Sequence, residues 1–216
     1  MLDVFALQRE NLVREMKQSG AIESIEVESA FLKVPREMFF LKESQRFSYV
    51  DSAFPIGFGQ TISQPSTIAI MLELLKVKKG LKVLEVGSGC GYVLALLSQL
   101  VGEKGKVFGI ELVPELGFRS IENLEKAGVK NAFVEVGDGT KGLPGKAPFD
   151  RILVSAATET VPEPLIEQLA LKGRLVAPIG PKHSQQMVVV EKDAKGKVKE
   201  WIAPKGFFVF VELKKF

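Results

Sequence analysis

Gly87, Gly89 and Gly91 stand at alternate positions directly after the apolar run Val83-Leu84-Glu85-Val86. Glycine tolerates positive φ and lets a ligand reach the backbone without meeting a Cβ. An open α/β sheet builds a nucleotide pocket in this way, at the carboxyl end of its first strand. A dinucleotide fingerprint needs its third glycine at the sixth position, which here is Tyr92. Glycines at one, three and five suit a nucleoside with no pyrophosphate to seat, and S-adenosylmethionine is the obvious candidate. A ligand-free, glycine-rich connection between strand and helix is the alternative.

The run Lys106-Val107-Phe108-Gly109-Ile110-Glu111 reads as the next strand and ends in a carboxylate twenty residues after Gly91. An acidic side chain there can accept both ribose hydroxyls of a nucleoside; the alternative is a solvated strand end. The lone Cys90 cannot make an internal disulfide, and with the lone His183 it cannot build a conventional zinc site, so no metal is expected. A net charge of +3, with no basic block, leaves no nucleic-acid footprint. No apolar run reaches membrane-spanning length and Met1 to Gln18 lacks a signal-peptide core. A cytoplasmic chain is therefore expected, with no membrane or nucleic-acid partner.

The elements that must position these residues follow from periodicity. Apolar spacing predicts helices over 2–19, 25–34 and 65–76, with a mostly loop segment at 36–65 that covers something or functions directly. Strands at 81–86, 106–111, 131–136, 150–155 and 174–178 alternate with helices near 91–101, 114–127 and 162–171. This βαβ series implies a parallel sheet with helices on both faces. Two further strand-like runs, 186–191 and 206–213, flank a turn at 193–197 and predict a terminal antiparallel hairpin. The expected fold is α/β and Rossmann-like: a mostly parallel seven-stranded sheet with N-terminal helices. We expect one compact unit, with residues 1–78 forming a helical region and active-site loop and 79–216 binding the cofactor.

The segment Gly59-Gln60-Thr61-Ile62-Ser63-Gln64-Pro65, followed by Leu84 to Tyr92, resembles the protein-L-isoaspartate O-methyltransferase family. Val34-Pro35-Arg36-Glu37-Met38-Phe39, Tyr49-Val50-Asp51, Gly137-Asp138-Gly139, Phe149-Asp150-Arg151-Ile152 and the stretch from Gln168 to Gly180 agree as well. The resemblance implies methyl transfer from S-adenosylmethionine to the α-carboxyl of L-isoaspartyl residues in aged peptides and proteins, leaving S-adenosylhomocysteine. It places Ser63 at the reacting centre as the catalytic residue, orienting the acceptor carboxylate. A favoured helix cap before Pro65 is the other reading of Ser63.

By the same resemblance Glu85, Gly87, Ser88, Gly89 and Gly139 line the cofactor, Leu112 packs on it, and Glu111 takes the ribose hydroxyls. Asp138 then meets the adenine amino group, although Asp-Gly is also an ordinary turn. Ile56, Gly57, Phe58 and Thr61, with Ser155, Ala156 and Ala157 opposite, are expected around the peptide. The chain departs from the family near its end, where it reads Phe208-Val209-Phe210-Val211-Glu212-Leu213 in place of an aromatic-Val-Pro-Leu stretch. Two rivals stay open: a methyltransferase of this fold acting on RNA or a small molecule, and a non-catalytic cofactor-binding protein.

Overall fold

The computed structural model describes residues 3–181 and 184–214; His183 lies outside them. Asp3 caps the first helix, α1 (Val4–Gln18), by accepting from the Phe5 and Ala6 amides. Ser24 caps α2 (Ile25–Lys33) through the Val27 amide. The next segment, expected as loop, holds two 3₁₀ turns, Arg36–Phe39 and Lys42–Phe47, and a two-stranded hairpin. In that hairpin β1 (Phe54–Gly57) pairs antiparallel with β2 (Gln60–Ile62). The tight turn between them needs positive φ at Gly57, Phe58 and Gly59. Phenylalanine there costs about 1–2 kcal/mol of backbone strain.

After α3 (Pro65–Leu75) the predicted alternation begins: β3 (Lys82–Val86), α4 (Tyr92–Val101), β4 (Lys106–Glu111), α5 (Pro114–Lys126), β5 (Ala132–Val136) and β6 (Phe149–Val154). A short α6 (Glu163–Glu167) precedes β7 (Leu169–Ile179), β8 (Gln185–Lys192) and β9 (Val198–Phe208). The seven-stranded sheet runs in the order β5-β4-β3-β6-β7-β8-β9. Its first five members are parallel, and β8 and β9 close it antiparallel. Strand order reverses beside β3, so its carboxyl end opens a crevice between β4 and β6.

Strand alternation sorts the core into two layers. Val83, Val107, Leu153, Val176 and Val189 join α1–α5 in one cluster. Leu84, Val86, Ile110, Ile152, Val154 and Leu175 point the other way, onto Leu143, Phe149, Leu165 and Leu169. The buried leucines of α4 (Leu94, Leu96 and Leu97) each contribute about 2 kcal/mol of burial.

Two expected boundaries move. The helix expected over 162–171 stops at Glu167, because Leu169 already pairs with Phe149 in the sheet. Gln168, nearly fully buried, is tied by its side chain to the Leu143 amide and the Lys141 carbonyl. These tertiary bonds override helical periodicity. The last strand lies at 198–208 rather than 206–213. Val198, Glu200 and Ile202 alternate with Lys199, Trp201 and Ala203 along it, and the apolar residues from Val209 onward leave the sheet.

Candidate active site

All three loop glycines after β3 adopt positive φ: 82° at Gly87, 53° at Gly89 and 89° at Gly91. Their reasons differ. A Cβ on Gly91 would sit 2.5 Å from Ser120 Oγ and 3.2 Å from the Ser120 carbonyl, so this glycine lets α4 meet α5. One on Gly89 would press within 3.2 Å of Ile56 Cδ1, so this glycine lets the β1–β2 hairpin roof the loop. A Cβ on Gly87 would make only ordinary contact, 3.6 Å from Ala156 Cβ, so here the positive φ alone calls for glycine.

Three carboxylates surround this loop, with different work. Glu111 accepts from the Gly89 amide at 2.7 Å and the Val113 amide at 3.0 Å, fixing the loop against the end of β4. Both oxygens keep a further lone pair for a ligand hydroxyl. Glu85 is 1% exposed; Ser155 Oγ donates to its Oε1 at 2.7 Å, and its Oε2 is buried without a partner. Burial pushes its carboxyl up to about 8; the Glu111 charge adds to this and the Ser155 bond opposes it. Asp138 Oδ1 accepts from the Thr140 amide at 3.0 Å and its hydroxyl at 2.7 Å, which makes the turn of the alternative reading.

A cleft of about 160 Å³ runs over the loop between the hairpin and the chain's end. Ile56, Phe58, Thr61, Gly87, Gly89, Glu111, Leu112, Gly139, Ser155 and Ala156 all face it, which gathers most of the expected residues. A small adjoining cavity joins Thr61 and Ser63 to Glu85, Ser88 and Gly89. From Ser63 a wider groove of about 700 Å³ continues along Gln60, Gln64 and Phe207 to Glu212. Ser63 thus lines both the small cavity beside the glycine loop and the open groove, whereas the narrow cleft is lined by its neighbours Gln60 and Thr61.

Three expected residues lie off these walls. Gly57 is in the hairpin turn, where a Cβ would lie 3.8 Å from Arg119. Ala157 is engaged with the C-terminal segment: its amide donates to the Val211 carbonyl and its carbonyl accepts from the Leu213 amide, both at 2.7 Å. Asp138 sits one residue outside the lining. Ser63 is not the cap of α3. That position is Gln64, which makes no side-chain cap bond, and the Ser66 amide is taken by Asp51 at 2.8 Å.

Several residues around the site were not anticipated. Arg119 Nη1 donates to the Ile56 carbonyl at 2.6 Å and its guanidinium lies 5.9 Å from the Phe58 ring centre, fastening the strained hairpin to α5. Val211 to Lys214 close the far side of the cleft. Their apolar composition invited a strand assignment, and only the pairing with Ala157 distinguishes the two.

The site fits S-adenosylmethionine. The orphaned Glu85 Oε2 and Ser88 Oγ are buried at the loop, ready for a cationic, polar group. Glu111 presents a carboxylate at the strand end, where a ribose needs one.

Comparison with known proteins agrees. The family model described as protein-L-isoaspartate(D-aspartate) O-methyltransferase matches residues 7–215. A Methanopyrus kandleri protein-L-isoaspartate O-methyltransferase is 48% identical over 198 residues, 91% of this chain and 87% of that protein. One from Pyrococcus abyssi is 46% identical over 202 residues, 93% and 92% of the two chains. A solved protein-L-isoaspartate O-methyltransferase superposes with a TM-score of 0.84 at 33% identity, over 94% of this chain; the chain spans 65% of that protein's length. A Plasmodium falciparum β-aspartate methyltransferase, solved with S-adenosyl-L-homocysteine, gives a TM-score of 0.83 at 26% identity over 96% and 99% of the chains. This chain belongs to the protein-L-isoaspartate(D-aspartate) O-methyltransferase family.

Proposed function

We infer that the protein transfers a methyl group from S-adenosylmethionine to the α-carboxyl of L-isoaspartyl residues in damaged peptides and proteins. The observation that carries this reading is the position of Ser63, which lines both the small cavity beside the glycine loop, next to the cleft that fits the cofactor, and an open groove that admits an extended peptide. Family membership supplies the acceptor. We assign residues 1–78 to a helical region with the active-site loop and 79–216 to the cofactor-binding α/β part of one compact unit; buried residues from both sharing one cluster supports this. No helix among the described residues is long and apolar enough to cross a membrane. A cytoplasmic location suits repair of aged proteins made there.

The chemistry asks little of the side chains as acids or bases. An acceptor carboxylate is already ionised at neutral pH, so no general base is needed. The cofactor supplies a methyl group on a positively charged sulfur. The acceptor oxygen forms its bond to that carbon as the carbon–sulfur bond breaks, and the electron pair leaves with sulfur as S-adenosylhomocysteine. Catalysis then rests on alignment and on exclusion of water. Ser63 orients the carboxylate; Ile56, Phe58 and Leu213 shut out solvent. Glu85 and Ser88 hold the cofactor's ammonium, Glu111 its ribose and Asp138 its adenine. The product ester cyclises to a succinimide without help, and hydrolysis returns part of it as aspartate.

The test is radiolabelled methyl transfer to two peptides that differ only in isoaspartate or aspartate at one position. Base-labile label on the isoaspartyl peptide alone is expected. Equal label on both, or none with S-adenosylhomocysteine binding intact, would overturn the reading.

A further inference from the structure

Arg36 belongs to a stretch that the resemblance singled out, yet the mechanism above gives it no work. It is fully buried, at 0% exposure, which is unusual for the most strongly cationic side chain. Its Nε donates to the Ser48 carbonyl at 2.9 Å and its Nη2 to the Ser63 carbonyl at 2.8 Å. The guanidinium also lies 4.8 Å from the Tyr92 ring centre and 5.3 Å from that of Phe40. One planar group therefore joins the catalytic serine's backbone, the loop before it and the first residue of α4.

What this cation lacks is an anion. None of the ion pairs among the described residues includes Arg36. Its Nη1 is buried without a hydrogen-bond partner. Burial pushes the neighbouring Tyr92 hydroxyl up to about 12 and the Cys90 thiol up to about 11, so both are neutral near pH 7. Glu37, next in sequence, is committed to Arg9 and Tyr49. Arginine does not shed its proton to escape such a site. A buried charge without a counterion carries a large desolvation penalty, and an anion delivered nearby recovers part of it.

The serine hydroxyl is the place where an anion arrives. Covalent geometry keeps Ser63 Oγ within about 5 Å of its own carbonyl oxygen, so Nη2 lies within roughly 8 Å of the hydroxyl. At that range a fixed, buried unit charge changes carboxylate affinity by about tenfold.

We propose that Arg36 is a positioning residue for the acceptor: it grips the Ser63 backbone and supplies the buried positive charge toward which the substrate carboxylate is drawn. This rests on the isoaspartyl reading. Methyl transfer cancels the carboxylate's charge, so the field acts on arrival of the acceptor more than on the chemical step. Lysine is a poor replacement, since a single ammonium cannot reproduce the planar fork that spans two carbonyls and stacks on rings.

The experiment measures affinity for an isoaspartyl peptide and for the same peptide with that carboxylate amidated, each at saturating S-adenosylhomocysteine. Wild type is expected to prefer the carboxylate by at least about thirtyfold. Arg36→Met should cut that preference about tenfold while S-adenosylhomocysteine affinity stays within threefold. Arg36→Lys should keep the preference but lose at least tenfold in kcat, because the grip on Ser63 is gone. A folded Arg36→Met enzyme with undiminished preference overturns the proposal, as does a wild type with no preference. Should Arg36→Met fail to fold, an unchanged kcat in Arg36→Lys overturns it and a tenfold loss at intact cofactor affinity supports it. Failure of wild type to methylate isoaspartyl over aspartyl peptide instead sinks the functional reading beneath it.

Discussion

The two walls of the cleft are made in different ways. The cofactor wall is almost one stretch of chain, from β3 through the glycine loop and α4 to the end of β4, with Ser155, just past β6, beneath it. The acceptor wall is gathered from afar: Arg36, Ser48 and Asp51 hold the approach to Ser63, Arg119 fastens the β1–β2 hairpin, and Ala157 pins the C-terminal segment. Cofactor geometry is thus a local property of a strand and its turn, whereas acceptor geometry depends on tertiary bonds that span the molecule. One wall is set by the backbone, and the other is adjustable at single side chains.

The sharpest way to break the cofactor wall is Gly91→Val. The new side chain meets Ser120 at a backbone φ that valine resists, and a loss of more than about 3 kcal/mol is expected. Urea unfolding of the free enzyme measures it, and near-normal stability would show that the α4–α5 contact adapts.

Glu85→Gln probes the same wall through charge. Because burial raises the folded carboxyl to about 8 from an ordinary value near 4.5, the folded state binds more protons than the unfolded chain between those values. Stability of the free enzyme therefore falls as pH rises from about 4.5 to about 8. The variant should flatten that slope and be the more stable protein at pH 8, while binding S-adenosylhomocysteine at least tenfold more weakly. Near pH 7, wild-type binding of this ligand, whose ammonium would sit against Glu85, should release a proton, seen as a calorimetric heat that depends on buffer ionisation enthalpy. Proton-neutral binding would remove Glu85 from the ammonium site.

On the acceptor wall, Arg119→Ala removes the clamp on Ile56 and the cation over Phe58. A loss of about 1–2 kcal/mol is expected, together with a several-fold rise in peptide KM. Steady-state kinetics would show whether kcat follows; a change in kcat alone would mean that the hairpin serves the chemical step. The smallest effect belongs to Cys90. Its thiol is buried and pushed up to about 11, so native protein should react with thiol reagents only at the rate of unfolding. Cys90→Ser should change activity less than twofold.

What was legible in the sequence follows the same division. The glycine loop, Glu111 and five parallel strands could be read because period-two apolar runs and glycine spacing carry their own physical reason. The end of α6 could not, since it is decided by Gln168 reaching Leu143 and Lys141. The final strand was displaced because Val209, Phe210 and Val211 are apolar for covering a cleft rather than for filling a sheet. The cap of α3 was hidden too: Asp51 reaches it from another loop. Ser63 itself has no local signature beyond a cap-like position before Pro65. Its candidacy came from the family resemblance; in the structure it lines the small cavity beside the glycine loop and the open groove.

Both walls are tested together by measuring S-adenosylhomocysteine affinity and isoaspartyl-peptide kcat for Ser63→Ala beside Glu85→Gln. Ser63→Ala should lose about 10–100-fold in kcat with cofactor affinity within threefold of wild type. Glu85→Gln should lose cofactor affinity first, with kcat at saturating cofactor far less affected. Parallel losses of affinity and kcat in both variants would contradict the account, for the two walls would then be one.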